Sequence, residues 1–410
     1  MPTFNPPPQS LLMRHRQLAP NAAIRVSPLC LGTLTFGTSH SAKFGEVTKE
    51  AVYEMLDKFY ENGGNFIDTA NGYQSGEAEE SLGQWMEERG NRDQMVIATK
   101  YTATYRLHHK DEIMSNFGGN GSKSMKLSLE ESLKKLRTTY VDIFYVHWWD
   151  YSTSIEEVMH SLNDLVTSGK VLYLGISDCP AWVVSSANRY ARDHGLRPFV
   201  VYQGKWSAAL RDFERDIIPM CKFEGMAIAP WGVLNQGHFQ TRKGFEEREK
   251  NNPGRQGKPP SEVDRQVSAV LEQLAEEKGC ELVHVALAYC LQKTPYVFPI
   301  VGGRTAEHTQ SSIDALSVEL SEEDVARIEA AYPFDHGFPH TMLTGTALSE
   351  ANAGEQRQVR GPQDVAFTVL AGTFDWVAQP KAIRPSDTAA PQNNEFLAGM
   401  MARLGNKKQS

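Results

Sequence analysis

Cysteine is scarce in this chain of 410 residues. Cys30, Cys179, Cys221, Cys280 and Cys290 are an odd five, with no C-x-x-C pair and no metal-type spacing. That pattern argues against a disulfide framework and points to a reducing, cytoplasmic setting. Long apolar runs are missing as well. Nothing approaches the roughly 20 residues of a membrane span, and MPTFNPPPQSLLMRHRQ lacks the apolar core of a secretory signal. The final NKKQS is neither a prenylation box nor the common peroxisomal tripeptide. Blocks of positive charge are absent too. With a net charge of −8 and a pI of about 5.9, a nucleic acid or an anionic membrane would meet repulsion, so neither is an expected partner. A serine-hydrolase elbow, G-x-S-x-G, does not occur.

What the chain does hold is a repeat of short apolar runs separated by amphipathic segments. The runs are 27–32, 65–69, 95–99, 141–146, 171–177, 199–203, 226–230 and 297–301. Apolar residues without alternation indicate strands buried on both faces, as in a parallel sheet covered by helices. Between the runs, Val52, Met55, Leu56 and Phe59 keep helical spacing, as do Ile155, Val158, Met159, Leu162, Leu165 and Val166. Ser154 and Glu157 predict a capping box at the start of that second stripe, and Gly169 its end. Strand–helix alternation allows an open doubly wound sheet or a closed barrel, and eight repeats favour an α/β fold of the (β/α)8 TIM-barrel type, which takes roughly 250 residues. Two segments depart from the repeat. Residues 235–262 are polar and rich in Gly and Pro, which predicts a long loop after the seventh strand. The repeat stops near Pro333, so the expected organisation is a barrel over 1–340 and an extension over 341–410 that docks on it through the apolar stretch 365–377.

Four side chains carry the chemistry. Asp68, Lys100 and His147 fall where an apolar run stops, and Tyr73 follows Asp68 by five residues. In a barrel these strand ends form the catalytic face. A tyrosine titrates near about 10 when unperturbed, so a cation is needed to draw its proton toward release. Lys100 against Tyr73 would do this, Asp68 would hold the ammonium, and His147 would orient a carbonyl. The set suits general acid catalysis beside hydride transfer from a nicotinamide. Taken singly, each has a plainer role as strand-end acceptor, solvated lysine, loop tyrosine or packed histidine. No metal is expected, since His147 lacks a second ligand at the right spacing and His108–His109 lacks a third.

The runs NFIDTANGY (65–73) and GEAEESLG (76–83), followed by ATK ending at Lys100 and VHW around His147, resemble the aldo-keto reductase superfamily. Within it, GISDCPAW (175–182), YQGKW (202–206), APWGVL (229–234) and IVGGR (300–304) are similar to the fungal aryl-alcohol dehydrogenase and norsolorinic acid reductase branch, over roughly residues 20–335 and again at AGTFDWV in the tail. The resemblance implies Tyr73 as general acid, Lys100 and Asp68 as its tuning pair, and His147 as the carbonyl-orienting group. It implies that Ser177, Asp178 and Gln203 meet the nicotinamide amide, with Trp231 stacked on the ring and Thr33 and Asp68 nearby. The turn Gly232, Val233, Leu234, Asn235, Gln236 and Gly237, with Arg242 beyond it, would follow the cofactor. Gly302, Gly303 and Arg304 would take a 2′-phosphate, favouring NADPH, with His308 and Ser312 toward the adenine. Phe36, Tyr101, His147 and Trp148 would line the substrate mouth. The expected activity is reversible NADPH/NADP+-dependent reduction of an aryl or polyketide-like carbonyl compound, in secondary metabolism, by a monomer or homodimer. The rival expectations are a non-catalytic cofactor-binding subunit resembling potassium-channel β subunits, and non-redox acid–base chemistry in the same pocket.

Overall fold

A computed structural model describes residues 8–106, 109, 111–251, 259–346, 359, 361–372, 375–377 and 379–387. His108, residues 252–258 of the insertion and Phe374 of the apolar tail stretch lie outside the described residues. A short antiparallel hairpin, β1 (Arg16–Ala19) and β2 (Ala22–Val26), precedes eight parallel strands. These are β3 (Cys30–Gly32), β4 (Phe66–Asp68), β5 (Val96–Tyr101), β6 (Val141–Val146), β7 (Val171–Ser177), β8 (Phe199–Lys205), β9 (Ala227–Trp231) and β10 (Ile300–Val301). They pair in the order β10-β3-β4-β5-β6-β7-β8-β9. A parallel bridge between Ile228 and Val297 draws the two edges together, with Phe298 N–H donating to the Ile228 carbonyl at 2.8 Å. The result is the expected (β/α)8 barrel.

The helices are α1 (Ser41–Phe44), α2 (Lys49–Glu61), α3 (Glu77–Arg89), α4 (Ser122–Lys135), α5 (Ile155–Thr167), α6 (Ala181–Asp193), α7 (Ile217–Glu224), α8 (Arg242–Asn251), α9 (Glu262–Lys278), α10 (Leu282–Lys293), α11 (Ala306–Asp314), α12 (Glu322–Ala331) and α13 (His340–Leu343). The predicted apolar stripe of α2 is the buried one, and Thr48 accepts from the Ala51 N–H to cap it. In α5 the Ser154 hydroxyl accepts from Glu157 N–H at 3.2 Å, but the reciprocal half of the capping box is not made. The Glu157 carboxylate instead accepts from the Ser122 N–H and hydroxyl, tying α5 to the start of α4.

Side chains of a strand alternate between faces, so each barrel strand feeds two cores. Phe66, Val96, Ala98, Ile143, Tyr145, Val201, Ala227 and Ala229 point into the barrel, joined from below by Leu18, Ala19, Ala22 and Val26 of the hairpin. Ile67, Ile97, Tyr101, Phe144, Val146, Tyr202 and Ile228 point outward into the helix layer. The hairpin, which apolar-run reading passes over because its strands are short and partly polar, thus plugs the end where the strands begin. The other end stays open to polar groups.

Two departures are corrected in detail. The insertion after β9 is no continuous loop: a turn at Asn235–Gly237 leads into α8, and Ser261 caps α9. In the extension, the apolar stretch near 365–377 forms a 3-10 turn over Ala366–Ala371, with Phe367 and Trp376 about half exposed. Among the described residues, the extension's hydrogen bonds to the barrel come further on. Arg14 donates to the carbonyls of Pro385 and Asp387, and Arg384 donates to the Leu320 carbonyl at 2.6 Å. No helix among the described residues is long and apolar enough to cross a membrane.

Candidate active site

The inward register that carries Phe66, Ala98, Tyr145, Val201 and Ala229 continues, two residues on, to Asp68, Lys100, His147, Gln203 and Trp231 at the strand ends. Five strands therefore aim five functional side chains at one mouth. Lys100 is fully buried there. Its Nζ donates to Asp68 Oδ1 at 2.5 Å, to the Thr69 carbonyl at 2.7 Å and to the Tyr73 hydroxyl at 3.3 Å. Gln203 Nε2 donates to the other Asp68 oxygen at 2.9 Å, so both carboxylate oxygens are satisfied. Burial works against the ammonium, but Asp68 and the Tyr73 oxygen outweigh it and hold Lys100 above its ordinary value. Lys100 is a fixed cation.

Tyr73 opens the turn Tyr73–Gly76 after β4, and its ring meets the His147 ring edge-on at 5.8 Å. The phenol does not titrate low, as the tuning argument expected. Burial raises its pKa and the Asp68 charge adds to this, and together they outweigh the lowering by Lys100. Tyr73 is therefore a protonated donor at neutral pH. For His147, burial and the nearby Lys100 charge lower the pKa to about 3, so the imidazole is neutral. Its Nδ1 is buried without a hydrogen-bond partner among the described residues. A neutral imidazole, a protonated phenol and a locked ammonium together can bind a carbonyl oxygen and protonate it.

Several residues singled out in the sequence have uncommitted groups around this mouth. Among the described residues, Thr33 Oγ1 and Ser177 Oγ are buried without hydrogen-bond partners. Asp178 follows with a left-handed φ of 42°, its N–H donating to the Gln203 carbonyl at 3.0 Å. Burial pushes the Asp178 carboxyl up against the Trp231 indole N–H and the Ser177 hydroxyl, which nears it without hydrogen-bond geometry. Trp231 is half-buried, with Lys205 Nζ 5.9 Å from its ring centre. Gly302 and Gly303 bring the chain out of β10 to Arg304, whose guanidinium makes no ion pair among the described residues. Buried orphan hydroxyls at one end and an unpaired guanidinium at the other fit a long phosphate-bearing cofactor.

Other expected contacts are occupied internally. Asn235 Nδ2 donates to Asp264 Oδ1 at 2.5 Å, tying the turn that contains Gly232, Val233, Leu234, Gln236 and Gly237 to α9. His308 Nδ1 accepts from Arg304 N–H at 3.3 Å, and the Ser312 hydroxyl donates to the His308 carbonyl at 3.0 Å. Arg242 is exposed at the start of α8 and lies 3.8 Å from Glu246.

The substrate wall needs correction. Trp148 is exposed beside His147, at 5.0 Å between ring centres. Phe36 and Tyr101 have no exposed surface. Tyr101 neighbours Lys100 along β5 and therefore points outward, stacked on Phe144 at 5.3 Å with its hydroxyl donating to the Asn120 carbonyl. Phe36 packs in that same outer core. Neither can touch a ligand in this conformation. Two residues were missed instead. Tyr145 forms the floor, its ring 5.8 Å below the Lys100 ammonium, and Gly175 makes room because a Cβ there would strike that ring. Gln74, directly after Tyr73, is fully buried and fixes the acid's turn. The inward register of 143, 145 and 147 could have revealed Tyr145; nothing local marks Gln74.

Comparison with known proteins agrees with this fold. The chain is 62% identical to norsolorinic acid reductase B of Dothistroma septosporum over 374 residues, 91% of this chain and 95% of that protein. It is 58% identical to norsolorinic acid reductase B of Aspergillus parasiticus, over 92% of this chain and 98% of that protein. Identity to aryl-alcohol dehydrogenase [NADP(+)] of Phanerodontia chrysosporium is 51%, over 82% of this chain and 91% of that protein. The model of the aldo/keto reductase family matches residues 28–333, which span every barrel strand and every side chain described around the mouth. This chain, an oxidoreductase with an eight-stranded parallel barrel, belongs to the aldo/keto reductase family.

Proposed function

We propose that this protein reduces aryl or polyketide-like aldehydes and ketones to alcohols with NADPH, using Tyr73 as the proton donor. The single observation that carries this is the Tyr73 hydroxyl 3.3 Å from the buried Lys100 ammonium, beside a neutral His147 at the open end of the barrel. When bound, the dinucleotide supplies hydride to the carbonyl carbon. The protein handles the oxygen. His147 donates a hydrogen bond that fixes it, and the Tyr73 phenol transfers its proton as negative charge develops there. Lys100 then stabilises the phenolate left behind, and Asp68, with Gln203, keeps the ammonium from moving. Ser177 and Asp178 offer the buried hydroxyl and carboxylate that a carboxamide needs, and Trp231 offers a flat face.

Preference for NADPH follows from Arg304, a guanidinium with no ion pair among the described residues, whose fork matches a phosphate. The aryl preference rests on Trp148 at the mouth and on the relatives' names, which speak of an aryl alcohol and norsolorinic acid. The test is a panel of aryl and aliphatic aldehydes and ketones followed at the reduced-nicotinamide absorbance band, with NADPH and NADH in parallel. Stoichiometric NADPH loss and alcohol formation with aryl carbonyls is the expected result. Absence of coenzyme oxidation across the panel sinks the redox reading, and equal efficiency with NADH sinks the Arg304 assignment.

A further inference from the structure

The loop between β3 and α2 touches both ends of the site. At one end Thr33 N–H donates to the Asp68 carbonyl at 2.9 Å. Gln74 then grips the loop twice: its Nε2 donates to the Leu34 carbonyl at 2.9 Å, and its Oε1 accepts from His40 N–H at 2.8 Å. Glu77 adds a second clamp, accepting from the Thr38 N–H at 2.6 Å and from the Ser39 hydroxyl. At the other end the Thr35 hydroxyl donates to the Gly303 carbonyl at 2.6 Å. Gly45 lies so close to Arg304 that a Cβ there would sit 2.7 Å from Nη1, and its φ of 81° suits glycine.

Gln74 is the residue after Tyr73, is fully buried, and adopts a φ of 48°, with Ser75 following at 58°. Two successive side-chain-bearing residues in the left-handed region persist only where neighbours over-determine them. The Gln74 amide supplies that determination. It presents one donor and one acceptor to the same loop, which neither Leu nor an ionised Glu can do.

We infer that residues 33–47 form a strap coupling the Arg304 corner to the acid, with Gln74 as the positioning residue that passes the constraint to Tyr73. The inference rests on the proposed reading, in which Arg304 takes a phosphate and Tyr73 gives the proton. An anion on the Arg304 guanidinium fixes the Gly45 end of the strap, and the Gln74 amide fixes the turn that carries the phenol. Phosphate recognition then contributes to turnover as well as to affinity.

The test has two arms. In the first, backbone hydrogen exchange is followed with adenosine 2′-phosphate, which carries no nicotinamide. Exchange over 34–40 and 73–76 is expected to slow on binding in the wild type, and over 73–76 to be unaffected in Gln74→Leu although the nucleotide still binds. In the second, the wild type is expected to show a higher kcat with NADPH than with NADH. Gln74→Leu should lower the NADPH kcat about tenfold, the scale of a sub-ångström misplacement, while KM for NADPH stays nearly constant. That variant should also erase the kcat difference between the coenzymes, and Gln74→Glu, which when ionised keeps the acceptor alone, should fall between. Binding of the nucleotide without slowed exchange at 73–76, or a wild-type kcat in both Gln74 variants, overturns the strap. Loss of all coenzyme oxidation by the wild type would instead remove the proposed function, and the exchange arm still decides the coupling.

Discussion

His147 and Tyr73 are both perturbed by burial, and in opposite senses for catalysis. With its pKa at about 3, His147 is neutral throughout the working range, so it hydrogen-bonds a carbonyl without competing as an acid. Tyr73, raised above 10.0, keeps its proton through the same range. The signs give a clear pH dependence. Carbonyl reduction needs the phenol and is lost only as pH rises through the Tyr73 pKa; alcohol oxidation needs the phenolate and increases toward that pKa. Profiles of kcat/KM should show no break near pH 6.5, the ordinary imidazole value. An inflection there, removed in His147→Gln, would contradict the assignment. The Lys100–Asp68 pair makes a second residue-scale prediction. Removing one partner strands a buried charge, so Lys100→Met should cost about 3–5 kcal/mol in urea unfolding. The double variant Lys100→Met with Asp68→Asn should cost less than the sum of the singles, and strict additivity would mean that the pair is not coupled.

Among the elements, α3 and α4 meet where Gly83 passes the backbone of Lys135 and Leu136, and a Cβ at Gly83 would collide with the Lys135 carbonyl oxygen. Gly83→Ala should therefore lose about 1–3 kcal/mol through forced separation of these helices. An unchanged Tm would show that they can part freely. The barrel strands were legible in the sequence because burial on both faces leaves uninterrupted apolar runs. That same feature hid which face each residue takes, and so Tyr101 was assigned to the mouth although its neighbour Lys100 occupies the inward position. The hairpin strands RQLA and AAIRV were missed because only part of each is buried and neither makes an apolar run. Helix α8 was hidden by the polarity of RKGFEEREKN, which reads as loop when no apolar stripe is present. Gln74 was unreadable for a different reason: its partners, Leu34 and His40, are more than thirty residues away.

Across the whole molecule, the two ends of the barrel divide the work. The plugged end carries the hairpin and the extension's contacts through Arg14, Arg384 and Glu319, and the open end carries the polar side chains. Deleting residues from Gln379 onward should lower Tm by removing those contacts, yet leave kcat with an aryl aldehyde within about twofold, since distant sites act independently. A large loss of kcat would mean that the extension reaches the mouth. The central claim concerns that mouth, where folding brings Asp68, Tyr73, Lys100 and His147 together from three strand ends and a turn. The most direct test is Tyr73→Phe, with steady-state reduction of an aryl aldehyde and NADPH binding by fluorescence measured on the same preparation. The account predicts a fall in kcat of about 10²–10⁴-fold with NADPH affinity nearly unchanged. Turnover close to wild type in that variant would contradict it.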